Sequence, residues 1–295
     1  MKQILSILII LIMASTVSAQ QNDEAILMLV RCDDSGMSNS TNLALEKLIS
    51  AKIPFSTSVM FACPWYQQAV EILKVNPQVS VGIHLTLNAE WKNYRWGPIL
   101  GKEVSSLTDA DGYFFPSRKL FFANDPKLNE VEKELRAQVE RAMQSGLQID
   151  YIDYHMGTAV DKPEYRAIVE KLADEFKLGI SRYFNEFYAD NMYPVPIESK
   201  KDSLIDIIKN RLEKDKVNLL VCHLGIDNDE LRAMIDLNPT GPKEMSRHRQ
   251  AELDALLSTE FTEALKSNNI KLITYRELIE KFGLKNMKRP AEHDY

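Results

Sequence analysis

Two adjacent aspartates, Asp33 and Asp34, follow the apolar run at residues 25–30. An unbroken apolar run of this length is typical of a strand buried on both faces. Carboxylates at the end of such a strand are costly unless a metal ion, an arginine or backbone N–H groups compensate their charge. A plainer interpretation is one solvated aspartate and one aspartate that caps the next helix. The pair alone leaves both interpretations open.

Three of the five histidines also stand at the ends of predicted strands. His84 lies near the end of one, His155 follows another, and His223 comes directly after a third. In parallel α/β folds the active site is built at the carboxyl ends of the strands. A single histidine in such a place is usually structural. Three of them on one rim, with an aspartate pair, indicate a functional site.

The chemistry available to this set is metal-assisted hydrolysis. Two imidazoles and one carboxylate can hold a divalent ion and leave positions open for water and substrate. Acyl hydrolysis also needs a base and an acid, for which the second aspartate and His223 are candidates. Serine-triad chemistry is less attractive because the chain has no G-x-S-x-G elbow. The glycine patterns of P-loops and dinucleotide sites are absent as well.

Arg31 and two cysteines flank the candidate residues. Strand alternation places Arg31 on the same face as Asp33, where it could hold that carboxylate ionised; the alternative is an arginine that extends to the rim. Cys32 and Cys222 each precede a candidate catalytic residue on an apolar strand. Packing is the expected role of both, and a disulfide between them stays open if the chain is exported.

The candidate residues require a scaffold of alternating strands and helices. Apolar periodicity predicts strands at 25–30, 55–60, 79–87, 149–154, 178–183, 217–222 and 270–275, and helices at 42–51, 64–73, 128–146, 165–176, 202–214 and 248–267. This alternation implies parallel strands with helices outside. About seven such units favour an α/β fold with a single distorted or incomplete (β/α) barrel, although a doubly wound sheet would give the same pattern.

Residues 88–127 interrupt the alternation with an aromatic-rich insertion. A long aromatic excursion directly after a strand end is typical of a functional lid or rim. The alternative is a satellite apolar cluster that covers one end of the sheet. The sequence does not distinguish the two.

The N-terminus and the composition bound the setting of the protein. Residues 1–19 have the positive start, apolar core and small-residue cleavage site of a signal peptide, so export is expected, with retention as an uncleaved anchor the minor alternative. The apolar run is too short for stable membrane insertion. Residues 20–295 suit one large domain. The net charge of −6 argues against a nucleic-acid partner.

Several short segments, taken in order and spacing, resemble the YdjC-type carbohydrate deacetylases, which are relatives of the NodB polysaccharide deacetylases. The segments are DDSGMS at 33–38 with Asn42 eight residues after Asp34, STSVM at 56–60 with Pro64, GIHLTL at 82–87, DYH at 153–155, CHLG at 222–225, RQAEL at 249–253 and IKLITYREL at 270–278. The resemblance spans nearly the whole chain after residue 19.

The resemblance implies a polysaccharide-deacetylase-like barrel that removes acetyl groups from N-acetylated mono- or oligosaccharides with a divalent metal ion, magnesium or zinc. The implied metal ligands are Asp34, His84 and His155. The implied general base is Asp33, and the acid that protonates the departing amine is His223. The residues expected to contact substrate are Arg31, Asn42 and Asp153.

The chain departs from the family pattern near the site. Ser35 stands where the family usually has Phe, Lys52 replaces a glycine before the STSVM segment, and Leu224 replaces a proline. Two further histidines are lost at Gly157 and Ala159, which should alter the wall that faces the substrate. Two other function classes therefore stay open. One is an exported carbohydrate-binding protein without turnover, and the other is a different metal-dependent esterase or phosphodiesterase.

Overall fold

The computed structural model describes residues 24–291, so the predicted signal peptide at 1–19 lies outside the described residues. The strands are β1 (Ile26–Ser35), β2 (Ser56–Val59), β3 (Ser80–Leu85), β4 (Ile149–Tyr154), β5 (Gly179–Ile180), β6 (Phe187–Asn191), β7 (Val217–His223) and β8 (Ile270–Ile273). The helices are α1 (Asn39–Ser50), α2 (Tyr66–Lys74), α3 (Arg118–Ala123), α4 (Leu128–Gln144), α5 (Pro163–Phe176), α6 (Lys200–Asn210), α7 (Asp229–Arg232), α8 (Met245–Leu257), α9 (Thr259–Ser267) and α10 (Tyr275–Phe282).

All paired strands run parallel, in the order β5-β4-β3-β2-β1-β7-β6. Strand β1 is the centre, because its residues from Leu27 to Asp33 pair with β7 on one edge. On the other edge its first half pairs with β8 and its second half with β2. Within the described residues the end strands β5 and β6 do not pair, so the sheet curls without closing. The predicted incomplete (β/α) barrel is confirmed.

The two faces of the sheet have different contents. Along β1, Met28, Val30 and Cys32 point outward into the apolar layer under the helices. Leu29, Arg31 and Asp33 alternate with them and point into the concave interior, as strand pleating requires. The base of that interior is filled by a second apolar cluster that includes Leu29 and the stacked rings of Tyr151 and Tyr275, whose centroids are 4.1 Å apart. Arg31 and Asp33, which follow Leu29 on the inward face of β1, therefore lie above this apolar floor.

Gly82 makes room for that floor. A Cβ built on Gly82 would lie 2.4 Å from the ring of Tyr151, so a side chain at this position would displace the tyrosine. The Tyr151 hydroxyl in turn meets Ser58 Oγ at 2.8 Å. The glycine two residues before His84 thus serves the packing of the interior.

Most predicted elements are present, with shifted ends. Strand β1 continues past the apolar run at 25–30 to Ser35, so the aspartate pair lies at its carboxyl end, as predicted. The predicted strand at 178–183 is reduced to β5, and β6 and α10 carry no predicted counterpart. Within residues 24–291, no helix is both long and apolar enough to cross a membrane.

The insertion at 88–127 combines both interpretations given to it. Its aromatic residues Trp91, Trp96, Phe114 and Phe121 are at most 4% exposed and join the main apolar cluster. Its polar residues Glu90, Ser117, Arg118 and Lys119 line a cavity at the carboxyl ends of the strands. The insertion is therefore a packed element that also forms one wall of the site.

Candidate active site

Asp34 has a backbone conformation that is unusual for a strand residue. Its φ angle of +64° lies in the left-handed region, and the β1–β2 register shifts between Cys32 and Ser35. In a regular strand adjacent side chains point to opposite faces. The irregularity turns Asp34 toward the cavity that Asp33 also lines. Both carboxylates therefore serve one site.

Asp34, His84 and His155 converge in this cavity. Asp34 Oδ1 lies 3.3 Å from His84 Nε2 and 3.4 Å from His155 Nδ1. The same Oδ1 is buried and has no hydrogen-bond partner among residues 24–291. One ligand atom from each residue lies within 4.8 Å of the others, so the three could hold one metal ion. The sequence placed these residues together, and the structure does so too.

A second carboxylate stands behind each imidazole. His84 Nδ1 lies 2.8 Å from Asp153 Oδ1 on β4, and His155 Nε2 lies 2.9 Å from Glu90 Oε2 on the insertion. A carboxylate in this position accepts the N–H of one ring nitrogen and leaves the other nitrogen as the ligand atom. Both histidines thus present a nitrogen to Asp34.

The acids and bases of the cluster perturb each other strongly. Burial alone would lower the pKa of His155, but Glu90 and Asp34 outweigh it and raise the pKa to about 9. Burial also opposes charge on His84, yet Asp153 and Asp33 hold its pKa well above the usual range. For Asp34, burial is outweighed by Arg249 and the two imidazoles, so its pKa lies well below the usual value. The cluster attracts positive charge.

Asp33 lies beside the cluster and is held by Arg31. Arg31 donates from Nε and from its terminal nitrogen to the two carboxylate oxygens of Asp33, each at 2.7 Å. Burial raises the pKa of Asp33 to about 6, and Arg31 keeps it from rising further. The predicted pairing is confirmed. Arg31 Nε also lies 3.0 Å from Asp153 Oδ2, so a guanidinium already bridges these two carboxylates.

His223 faces the cavity from the end of β7, directly across the ladder from Asp33. Its backbone N–H donates to Glu252 Oε2 at 2.6 Å, and its ring meets Tyr193 edge to face at 5.0 Å. Burial lowers the pKa of His223 to about 3, with Arg249 and His84 acting in the same direction. An unperturbed histidine has a pKa near neutrality. The buried ring beside buried cations is instead neutral.

The three residues expected to contact substrate lie outside the cavity lining, and the structure corrects that expectation. Arg31 and Asp153 form ion pairs beneath the site, and Asp153 is fully buried. Asn42 is also fully buried: its Oδ1 accepts from Gly36 N at 2.8 Å, and its Nδ2 donates to Trp65 O and Gln68 Oε1. Asn42 fixes the turn after β1.

Cys32 and Cys222 are direct partners in the β1–β7 register, but both thiols are free and buried. The disulfide that the sequence left open is not formed. Burial raises the pKa of each thiol well above its usual value. Both side chains therefore act in packing, which was the expected role.

The cavity has a volume of about 530 Å³ and brings together parts of the chain that sequence reasoning did not connect. Its lining includes Asp33, Asp34, His84, Glu90, His155, Tyr193, His223, Asp236 and Arg249. Arg249 begins the RQAEL segment of the family resemblance, which implied no role for it in the site. In the structure its guanidinium donates to Asp34 Oδ2 at 2.6 Å. Arginine is rarely buried, so an arginine at a core-facing position of a predicted helix was the signal that could have identified Arg249 as a site residue. Glu90, at the start of the insertion, carried no periodic signal.

The charges around the cluster fit a divalent ion. Four buried carboxylates face two buried guanidinium groups, namely Asp33, Asp34, Glu90 and Asp153 against Arg31 and Arg249. Without a metal ion the two imidazoles compensate the other two negative charges by binding protons, as their raised pKa values show. A divalent ion bound to one nitrogen of each ring would carry the same charge as those two protons. The unpartnered Asp34 Oδ1 between two imidazole nitrogens is the place where compensation is needed. The residues present therefore fit a divalent metal ion.

The fold and the cluster define a class of protein, an incomplete parallel α/β barrel with a histidine–aspartate group at its strand ends. A solved structure shares this fold. An Enterococcus faecalis protein named for cellobiose-phosphate cleavage superposes with a TM-score of 0.70 at 22% identity. The match covers 86% of this chain and 99% of that one.

Sequence comparison adds the family. The profile of the YdjC-like proteins matches residues 27–267. The carbohydrate deacetylase of Brevibacillus brevis is 25% identical over 271 residues, covering 85% of this chain and 99% of the relative. That of Oceanobacillus iheyensis is 28% identical over 248 residues, covering 79% and 97%. The chain belongs to the YdjC-like family. The curated relatives match most of the length of this chain, and they are enzymes.

Proposed function

We propose that this protein is a metal-dependent hydrolase that removes acetyl groups from N-acetylated carbohydrates. The observation that carries the proposal is the convergence of Asp34, His84 and His155 in one cavity with Asp33 and His223. The carbohydrate deacetylases of Brevibacillus brevis and Oceanobacillus iheyensis, which this chain matches over most of its length, support the same activity.

The bound ion would be held by Asp34, His84 and His155. Two imidazole donors favour zinc or another borderline ion over magnesium, which prefers oxygen ligands. Such an ion polarises the acetyl carbonyl and lowers the pKa of water. This chain's own residues then supply the proton transfers and the orientation of the site.

Asp33 is the general base in this proposal. Its pKa of about 6 leaves it ionised at neutral pH and close enough to neutrality to accept a proton from water. Arg31 fixes the carboxylate through two hydrogen bonds, so its direction does not depend on the substrate. Asp153 orients the neighbouring His84 from beneath the site, because its Oδ1 lies within hydrogen-bond distance of His84 Nδ1.

His223 is the residue placed to protonate the departing nitrogen. Its ring is neutral at rest, so it must first gain a proton. The proton that Asp33 removes from water is available in the same cavity, because the two residues are partners across the β1–β7 ladder. Amide nitrogen is a poor leaving group until it is protonated, which makes this transfer necessary.

Acetate release from a panel of N-acetylated mono- and oligosaccharides tests the activity. We expect metal-depleted protein to be inactive and added zinc to restore turnover. The same panel should give no acetate with Asp34→Asn. A protein that binds these sugars but releases no acetate with any divalent ion would be a carbohydrate-binding protein. Turnover of phosphodiesters without deacetylation would identify a different hydrolase.

His223→Ala tests the acid. We expect the variant to keep its metal and to lose roughly 10²–10⁴ in the rate of amide hydrolysis. An activated acetate ester should lose less, because its leaving group departs without a proton. Equal losses on both substrates would instead point to a role in binding or in stabilising the oxyanion, and no loss on either would show a packed histidine.

We also propose export, on the pattern of residues 1–19. The protein recovered outside the cytoplasm should begin at Gln20, which mass spectrometry of its N-terminal peptide would reveal. Recovery of the uncleaved chain with the membrane fraction would favour the anchor.

A further inference from the structure

The outer carboxylates of the cluster, Asp153 and Glu90, hold the two imidazoles on the side away from Asp34. Of the two, Glu90 comes from outside the sheet. It begins the aromatic insertion, five residues after β3 ends, and is 5% exposed. Its Oε2 lies 2.9 Å from His155 Nε2, on the side of the ring away from Asp34. We propose that Glu90 is a positioning residue that fixes the tautomer and orientation of His155 for metal binding. This inference rests on the metal site of the proposed function.

The two outer carboxylates have different surroundings. Asp153 is shared, because its oxygens also meet Arg31 Nε and Ser58 Oγ. Among the described residues, the Glu90 carboxylate has His155 as its one hydrogen-bond partner. Its acceptor capacity and its charge are therefore directed at a single ring. Removing Glu90 should act on His155 and leave the Arg31 network intact.

The backbone around Glu90 is held from two sides. The carbonyl oxygen of Glu90 accepts Leu237 N–H at 2.7 Å, and Lys92 N–H donates to Ile235 O at 2.8 Å. On the other side Ala89 N–H donates to Phe115 O at 3.1 Å. The buried side chain of Trp91 anchors the next position. A carboxylate on such a fixed segment can orient a ligand without losing conformational freedom when the metal binds.

The arrangement selects one tautomer of His155. When Glu90 accepts the Nε2–H, the lone pair lies on Nδ1, which is the nitrogen 3.4 Å from Asp34 Oδ1. Without the acceptor, the neutral ring has no partner to hold this tautomer. Glu90 also contributes one of the charges that a divalent ion would neutralise. The two contributions can be separated, because glutamine keeps an acceptor oxygen and removes the charge.

Zinc titration of the metal-depleted full chain, followed by calorimetry, tests the proposal. Loss of an outer carboxylate typically costs roughly 10–100-fold in metal affinity. We expect a loss of this size for Glu90→Ala and a smaller loss for Glu90→Gln. Glu103→Gln is the matched control, since Glu103 is exposed on the same insertion. It should bind zinc like the unaltered protein.

Nitrogen-15 spectra of the histidine rings supply the readout that a purely structural role would not change. At the same zinc concentration, the unaltered protein and Glu90→Gln should both show His155 bound through Nδ1 and protonated at Nε2, and Glu90→Ala should show His155 rings that are free of zinc or bound through Nε2. Unaltered zinc affinity and an unaltered His155 tautomer in Glu90→Ala would overturn the proposal. So would equal losses in Glu90→Ala and Glu103→Gln. Because no sugar is present, these outcomes do not depend on whether the protein is a deacetylase.

Discussion

The surroundings of Asp33 and of Asp34 differ in almost every respect, although the two residues are adjacent. Asp33 continues the inward face of β1 and meets Arg31 in the interior of the sheet. Asp34 leaves the strand geometry at φ +64° and meets Arg249 and two histidines at the rim. Burial raises the pKa of Asp33 to about 6, whereas Asp34 has a pKa well below its usual value.

This difference shows how one sequence step can separate two roles. A carboxylate with a pKa near neutrality can accept a proton, and one that stays ionised can hold a metal ion. Adjacent residues in a regular strand could not share a cavity, because their side chains point to opposite faces. The left-handed turn at Asp34 removes that restriction. The following predictions test whether the two roles are separate.

The largest effect is expected from Asp34→Asn. The substitution removes the ionised oxygen between the two imidazoles, so zinc affinity should fall by more than the roughly 10–100-fold that an outer carboxylate costs. Acetate release should fall to background at any zinc concentration tested. Calorimetry and an acetate assay measure the two quantities. Zinc affinity unchanged in this variant would show that Asp34 is not a ligand.

Asp33→Asn should leave metal binding intact and abolish most turnover. Loss of a general base costs roughly 10²–10⁴ in rate, and the asparagine still fills the same space beside Arg31. Zinc affinity, measured as above, is the internal control. If the variant lost zinc affinity together with activity, Asp33 would also be needed for metal binding, and the roles of Asp33 and Asp34 would not be separate.

Arg31→Met should move the acidic limb of the pH–rate profile. Asp33 acts as a base only when deprotonated, so activity is lost as the pH falls through its pKa of about 6. The guanidinium of Arg31 lowers that pKa, and its removal should shift the limb to higher pH. The profile of the rate of acetate release between acid and neutral pH measures the shift.

Arg276→Met is the matched control for this change. Arg276 forms an ion pair with Asp150 at 3.0 Å, at the opposite end of β4 from the site. Breaking either pair should lower stability, but only Arg31→Met should move the limb. An acidic limb that stays in place after Arg31→Met would refute the role given to the pair.

The smallest effect on turnover is expected from Asn42→Ala. The substitution leaves the buried Gly36 N–H without its acceptor in the turn that follows Asp34, which should cost about 1–3 kcal/mol in the free energy of unfolding. Denaturant unfolding measures the loss, and Asn210→Ala on the exposed face of α6 is the control. A raised KM with unchanged stability would instead show that Asn42 contributes to substrate binding.

The sequence by itself placed the aspartate pair and three histidines at the ends of predicted strands, and the resemblance to the YdjC-type deacetylases selected Asp34, His84 and His155 among them as metal ligands. Apolar runs have a period that local sequence reveals, and parallel strands place their carboxyl ends on one edge whatever the loops do. The same reasoning paired Arg31 with Asp33, because alternation along a strand is also a local property.

Only the tertiary structure decided which residues complete the site. Glu90 and Arg249 reach it from an insertion and a late helix, and Arg249 meets Asp34 across 215 positions of the chain. Contacts of this kind depend on how separate segments pack, which no local period encodes. Burial likewise set the pKa of His223 to about 3. The sequence identifies an imidazole, but the desolvation that shifts its pKa is a property of the assembled interior.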